Sequence, residues 1–392
     1  MLIYEYKVDG TKRQYAAVDE AIRVVQFIRN KCLRLWMDGH ATKYDLQGYC
    51  ALLAKEYPFA NRLNSQARQA SADRAWFAIS RFYENCKTHK PGKKGYPRFQ
   101  HDNRSVEYKQ TGWKLDTAGK HITFSDGCGI GRLRLVGNPK QQIEAFPTKQ
   151  IKRVRLVHRA DGYYVQFGVQ AERKIEHVST GSMVGIDMGL KVFYADSHGN
   201  TVENPRHYRK AEKRLKRLHR QVSRKQKPSA NRTKARKHLA KAHLKVQRQR
   251  EDFARKAANA LVSSHDVIAY EHLQIRNMVK NHTLAKSIHD AAWGHFLRWV
   301  KSYAVMHGIA VVAVPPQYTS QDCSGCGERV QKTLSTRTHV CPKCGLILDR
   351  DENAALNILV KAVDGTLGHR GTSGSPENAS GQMTATCKQQ CS

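Results

Sequence analysis

Two cysteine pairs, Cys323-Ser-Gly-Cys326 and Cys341-Pro-Lys-Cys344, constrain this chain more than any other feature. Fourteen residues separate them, a spacing at which two knuckles hold one tetrahedral zinc ion. A disulfide pair or a redox Cys-x-x-Cys is the alternative. The other cysteines carry no such pattern. Cys32, Cys50, Cys86 and Cys128 stand singly, as buried thiols in a reducing cytosol do, and Cys387 and Cys391 lie in a polar tail.

Charge narrows the partner. Lys and Arg number 67 against 33 Asp and Glu in 392 residues, a net +34 that repels itself unless a polyanion neutralises it. Hydrophobic residues, 40% of the total, suffice for two or three folded cores. The longest apolar run, Ile309–Val314, falls far short of the roughly 18–20 residues of a membrane span. The first residues, MLIYEYKVDG, lack the pattern of a secretory signal. A membrane protein, a secreted protein and a small-metabolite enzyme are therefore disfavoured. The expectation is a cytoplasmic protein that binds more nucleic acid than a short operator.

Periodicity divides the chain. Residues 1–15 alternate like a strand, and 16–89 repeat apolar residues three and four apart, as three or four helices do. A Gly/Pro/Lys-rich connector follows, in which Lys93 and Lys94 are candidate backbone contacts or simply solvated. From about 104 to 172 short strands return, the clearest being a hairpin turned at Asp161-Gly162. This order predicts a β-barrel (1–15 and 90–178) interrupted by a helical insertion (16–89). MVGIDMG and LKVFYADSHGN then read as adjacent strands, and 205–260 as two helices broken near Pro228. Between Arg206 and Lys256 stand 21 Lys/Arg and three acids, Glu212, Glu251 and Asp252. So few acids leave little i,i+4 pairing. The hairpin is predicted to contact nucleic acid, with Arg214, Arg217 and Arg224 as candidates; a solvated face is the bland alternative. A buried strand ending at Glu271, a Trp-rich helix, the strand GIAVVAV and a helix after the cysteines complete the folded part. From Asp364 to Ser392 periodicity is lost and disorder is expected.

Three carboxylates fall at telling places: Asp187 amid Val184 and Ile186, Glu271 closing an apolar strand, and Asp351 opening a helix after the second knuckle. A carboxylate in a buried strand costs several kcal/mol unless paired or metal-bound. Three in one domain call for a cation. Two Mg²⁺ ions (or Mn²⁺) about 3.5–4 Å apart would serve phosphodiester hydrolysis, and an RNase H-like sheet collects acids in this way. Singly, Asp187 could be a turn residue, Glu271 an arginine partner and Asp351 a helix cap. Asp349 is the weaker choice for the third acid.

Together GIDMG (185–189), Glu271, VKNHTLAKSIHDAAWGHF, PQYTSQDCSGCG and CPKCGLILDRDENAALNI resemble the TnpB family of insertion-sequence-encoded, RNA-guided nucleases, relatives of type V CRISPR effectors. The likeness is strong over 180–360, looser over 60–172 (GKKGYPRF being the anchor) and weak over 1–60. It implies an α/β RuvC-like nuclease domain (179–316 and 347–363) whose acids match Asp187, Glu271 and Asp351. It also implies a zinc ribbon (317–346) on Cys323, Cys326, Cys341 and Cys344, preceded by a wedge barrel with a helical recognition insertion. The partners implied are a guide RNA from the transposon's right end, one protein per RNA, and double-stranded target DNA. The protein would read a short transposon-adjacent motif beside the target, with Ser65, Gln66, Gln69, Gln110 and Thr111 in the region concerned. A nuclease-inactive RNA-guided regulator and a strand-transferring transposase are the competing functions; retention of all three acids argues against the first.

Overall fold

The structure, a computed structural model, describes residues 1–116, 119–137, 143, 146–333 and 336–368. It divides into two compact units, 1–173 with 218–244, and 174–217 with the chain from 245 onward.

In the first unit β1 (Leu2–Asp9) runs into four helices: α1 (Lys12–Gly39), α2 (Lys43–Glu56), α3 (Pro58–Asn61) and α4 (Ser65–Lys87). The strand ends earlier than its alternation suggests, because Thr11 and Gln14 form a capping box that starts α1 at Lys12. The Gln14 amide also donates to the Ile130 and Arg132 carbonyls (2.9 and 2.8 Å), pinning that start to a later strand. Six strands follow: β2 (Ser105–Tyr108), β3 (Trp113–Leu115), β4 (His121–Phe124), β5 (Gly131–Val136), β6 (Ile151–Arg159) and β7 (Gly162–Val169). With β1 they form one antiparallel sheet, ordered β2-β6-β7-β1-β5-β4-β3. Among the described residues no ladder joins β2 to β3, so the expected barrel exists as a sheet not closed by hydrogen bonds. Nor do the helices form a separate body. Ile28, Leu33, Leu46 and Ile79 share one apolar core with Val106, Leu133, Val154 and Phe167 of the sheet.

The second unit is built on five strands: β8 (Met183–Met188), β9 (Val192–Asp196), β10 (Thr201–Glu203), β11 (Val267–Glu271) and β12 (Ala310–Val314). Their order is β10-β9-β8-β11-β12, with β8, β11 and β12 parallel and β9 and β10 antiparallel to their neighbours. Five helices connect them, α5 (His207–Ser223), α6 (Ala230–Ser263), α7 (Ile275–Met278), α8 (His282–Ala291) and α9 (Trp293–His307), and α10 (Arg350–Gly368) follows. Side chains alternate across β11. Ile268 and Tyr270 pack with Ala258, Phe296 and Val300 of α6 and α9, whereas Ala269 packs with Ile358 and Ala362 of α10. A small hairpin, β13 (Thr338–Val340) and β14 (Ile347–Asp349), carries the second knuckle between its strands.

Two placements differ from expectation. The basic hairpin, expected wholly within the nuclease domain, is divided: 218–244 group with the first unit. Helix α10 continues to Gly368, past the loss of periodicity at Asp364, because each added residue of a formed helix gains a backbone hydrogen bond without a new nucleus. The remainder of the expected disordered tail, from 369, lies outside the described residues.

Candidate functional site

Strands β8 and β11 are parallel and pair Ile186 with Tyr270. The next residues, Asp187 and Glu271, therefore stand side by side at the carboxyl ends of the two central strands. Helix α10 lies hard against β8. A Cβ on Gly185 would sit 2.1 Å from the Ala355 carbonyl oxygen and 2.8 Å from the Leu359 nitrogen. Only glycine admits so close a backbone, and this approach brings the first turn of α10, with Asp351, to the same end of the sheet.

The electrostatics record that convergence. Asp187 is partly buried, and its carboxyl is pushed up to about 7, first by burial and then by the charges of Glu271 and Asp351; Arg350 opposes the rise. Glu271 is 7% exposed. Burial raises its pKa too, against the Thr319 hydroxyl that donates to it and the charge of Lys361. Asp351 accepts from Arg350 (3.1 and 3.2 Å) and pairs with Arg337 at 3.6 Å. The cap of α10 is Asp349, whose Oδ1 accepts the Asp351 N–H at 2.8 Å. Thus Asp187 lies in a strand rather than a turn, Glu271 is held by a hydroxyl rather than an arginine, and Asp351 is not the cap. The three carboxylates do not all come within 4.8 Å of one another; among the described residues, only the four cysteines form such a group.

Those cysteines meet across the two knuckles. Sγ atoms of Cys323 and Cys344 lie 3.6 Å apart and those of Cys326 and Cys341 3.5 Å. The edge of a ZnS₄ tetrahedron with bonds of about 2.3 Å is about 3.8 Å. All four are free thiols, and the backbone N–H of Cys344, with that of Lys343, holds the Cys341 thiol down at about 6. The cluster is compatible with a structural zinc ion.

Sequence reasoning missed how the knuckle is seated. Asn353 and Asn357, buried on one face of α10, reach the backbone on either side of Cys323. Asn353 accepts from Ser324 N (3.0 Å) and donates to the Asp322 carbonyl (2.8 Å). Asn357 donates to the carbonyls of Thr319 (2.8 Å) and Asp322 (2.7 Å). Two asparagines four apart in an otherwise apolar helix face, DENAALNIL, were the available signal.

The candidate nucleic-acid contacts are mixed. Ser65 is the exposed first residue of α4, and Gln69 is partly buried. Gln66 Oε1 accepts from Gln110 N (2.7 Å) and Thr111 N (2.9 Å), so three of the five proposed motif readers are joined. Gly112 makes the join possible: its φ is +88°, and a Cβ there would meet Asn64 at 2.7 Å. Gln66 and Gln110 line a cleft of about 470 Å³ with Arg74, Phe77, Lys109 and Arg153. Lys93 is exposed, whereas Lys94 Nζ bonds the Lys90 carbonyl at 2.5 Å. Arg214, Arg217 and Arg224 have no ion-pair partner among the described residues; the acid of α5, Glu212, is taken by Lys216 and Lys286 (2.9 and 2.8 Å). Arg224 lines a second cleft, of about 490 Å³, with Lys225, Lys234 and His238.

Residues 166–282 match the OrfB_IS605 family model, described as "Probable transposase", and 293–358 match the Cas12f1-like TNB domain. A candidate RNA-guided DNA endonuclease of Streptomyces pristinaespiralis is 38% identical, over 91% of this chain and 88% of its own. A second, InsQ of Escherichia coli K12, is 30% identical over 67% and 68%. TnpB-like protein L79 of Acanthamoeba polyphaga mimivirus is 27% identical over 56% and 45%. Among solved structures, Cas12f1 in a complex with sgRNA and target DNA superposes with a TM-score of 0.53 at 14% identity (88% of this chain, 81% of that one). The mini-RNA-guided endonuclease Cas_phi3 gives 0.56 at 10% identity (92% of each). At such identities the two structures speak for the fold alone. The relation to the Streptomyces protein, close in identity and spanning nearly both chains, carries the conclusion: this chain belongs to the TnpB family.

Proposed function

We propose that this protein is a transposon-encoded, RNA-guided DNA endonuclease that hydrolyses target DNA with Asp187, Glu271 and Asp351. The observation that carries the reading is the meeting of these acids at one end of the sheet, where Asp187 is pushed up to about 7 by burial and by the other two. Acids arranged against one another in this way are stabilised by a divalent cation. The donor set, three carboxylates with hard oxygens, fits Mg²⁺ or Mn²⁺. Arg350 and Arg337 must release Asp351 for it to join. When bound, two such ions would activate water and stabilise the leaving oxygen.

The rest falls to the chain itself. The strand order β10-β9-β8-β11-β12, with one antiparallel arm, supports an RNase H-like nuclease domain over 179–316 and 347–363. Cys323, Cys326, Cys341 and Cys344 would hold one structural zinc ion in the ribbon, 317–346. The antiparallel sheet of the first unit would serve as the wedge and its helices as the recognition insertion. The cleft at Gln66 and Gln110 suits readout of a motif beside the target, with Ser65, Gln69 and Thr111 as further candidates close to them in the chain. The unpaired Arg214, Arg217 and Arg224, with Lys93 and Lys94, suit the backbones of guide RNA and DNA. The names of the relatives, RNA-guided DNA endonucleases, support the same partners.

The test is a plasmid library with a randomised segment beside a fixed target, cut by protein co-expressed with RNA from its own locus. Wild type is expected to deplete one short flanking motif, and Asp187→Ala to bind that target without cutting it. Cutting by the variant would remove the acids from the mechanism. Target occupancy with no cutting by either protein would leave a regulator.

A further inference from the structure

Thr319 stands where the ribbon meets the acids. It is 2% exposed, in the loop between β12 and the first knuckle. Its hydroxyl faces two acceptors, a Glu271 carboxylate oxygen and the Pro316 carbonyl at 3.2 Å. One hydroxyl hydrogen serves one strong bond, and an ionised carboxylate is the stronger acceptor. The backbone of Thr319 is in turn gripped by Asn357, which also holds Asp322, the residue before Cys323. Asn357 lies on α10, the helix whose first turn carries Asp351. Buried groups thus run without a break from the knuckle through Asn357 and Thr319 to Glu271.

We propose that Thr319 is a positioning residue that orients Glu271 toward metal, and that Asn357 makes this orientation depend on the seating of the first zinc knuckle. The inference rests on the reading of Glu271 as a metal ligand. Partners that orient a ligating carboxylate typically change metal affinity 10- to 100-fold when removed. The ribbon would then act on cleavage without touching the nucleic acid, by fixing the loop that carries Thr319.

Zinc-loaded, full-length protein would be titrated with Mn²⁺, the free ion being followed by electron paramagnetic resonance, for wild type, Thr319→Val, Thr319→Ser, Asn357→Leu and Glu271→Gln. Valine keeps the shape and loses the hydroxyl; serine keeps the hydroxyl. Mn²⁺ affinity is expected to fall about 10-fold or more in Thr319→Val and to stay near wild type in Thr319→Ser, with both melting near the wild-type temperature. Asn357→Leu should weaken binding in the same direction, and it carries the test should Thr319→Val not fold. Wild-type affinity in Thr319→Val, or equal losses in the valine and serine variants, would overturn the proposal. Glu271→Gln separates the two readings. If it loses Mn²⁺ binding while Thr319→Val does not, only the role of Thr319 fails. If it binds and cuts like wild type, the reading of the acid site fails with it.

Discussion

Asp187 shows at the scale of one residue how a cluster of acids is held as instability. Its pKa in the folded protein, about 7, exceeds the unfolded value of about 3.9. Between these values the folded state binds the extra proton, so stability falls as pH rises from about 4 to about 7, by about 3–4 kcal/mol. The melting temperature of metal-free Asp187→Asn should therefore exceed that of wild type by a margin that grows over this range and then levels off. Added Mg²⁺ should close the gap by stabilising wild type; a constant margin would remove Asp187 from the set of repelling acids. Asp266 has the opposite sign. It accepts from His177 (2.7 Å), Ser179 (2.6 Å) and the Thr180 and Gly181 N–H groups (3.0 and 2.8 Å), and its pKa is held well below the carboxylate range. Its contribution is present above about pH 4 and lost as pH falls through the depressed value. Asp266→Asn should cost about 1–2 kcal/mol in denaturant unfolding at pH 7, allowing for partial exposure, and less at pH 2.

Among elements, α10 has the most to position. It covers one face of the central sheet, carries Asp351 in its first turn and grips the ribbon through Asn353 and Asn357. Its seating depends on the absence of a side chain at Gly185. Gly185→Ala should displace the helix, destabilise the second unit by about 1–3 kcal/mol as overpacking does, and reduce cleavage more than it reduces RNA binding. Equal loss of both would mean that the unit had simply unfolded. The ribbon is the dependent element. Chelation of zinc, or Cys→Ser at any of the four cysteines, is expected to unfold it locally and lower cleavage. Silence of all four substitutions in zinc content and cutting would refute the centre.

For the molecule as a whole, +34 of charge predicts affinity for RNA and DNA that falls steeply with salt: about 10³- to 10⁵-fold between 50 and 200 mM if six to ten phosphates are neutralised. Filter binding across that range measures the slope, and a flat response would discount the basic hairpin. Without RNA the same charge should make the protein bind DNA of any sequence at low salt, visible by gel shift. Among the described residues no helix is long and apolar enough to cross a membrane. Local chemistry was legible in the chain. Cysteine spacing follows from the short reach of a knuckle, the strands of the central sheet from apolar runs, and the basic hairpin from unbalanced charge, because each signal is complete within a few residues. The ends of elements were less so: Thr11 stops β1 early, and α10 outruns its periodicity. What decided the site was tertiary. The register of β8 against β11, the contact of Gly185 with α10, the choice of Asp349 rather than Asp351 as cap, and the line from Asn357 through Thr319 to Glu271 all join residues far apart in sequence. The sequence by itself determined which groups could do chemistry; packing decided which of them meet, because burial and mutual charge exist only once distant segments share the same few ångströms.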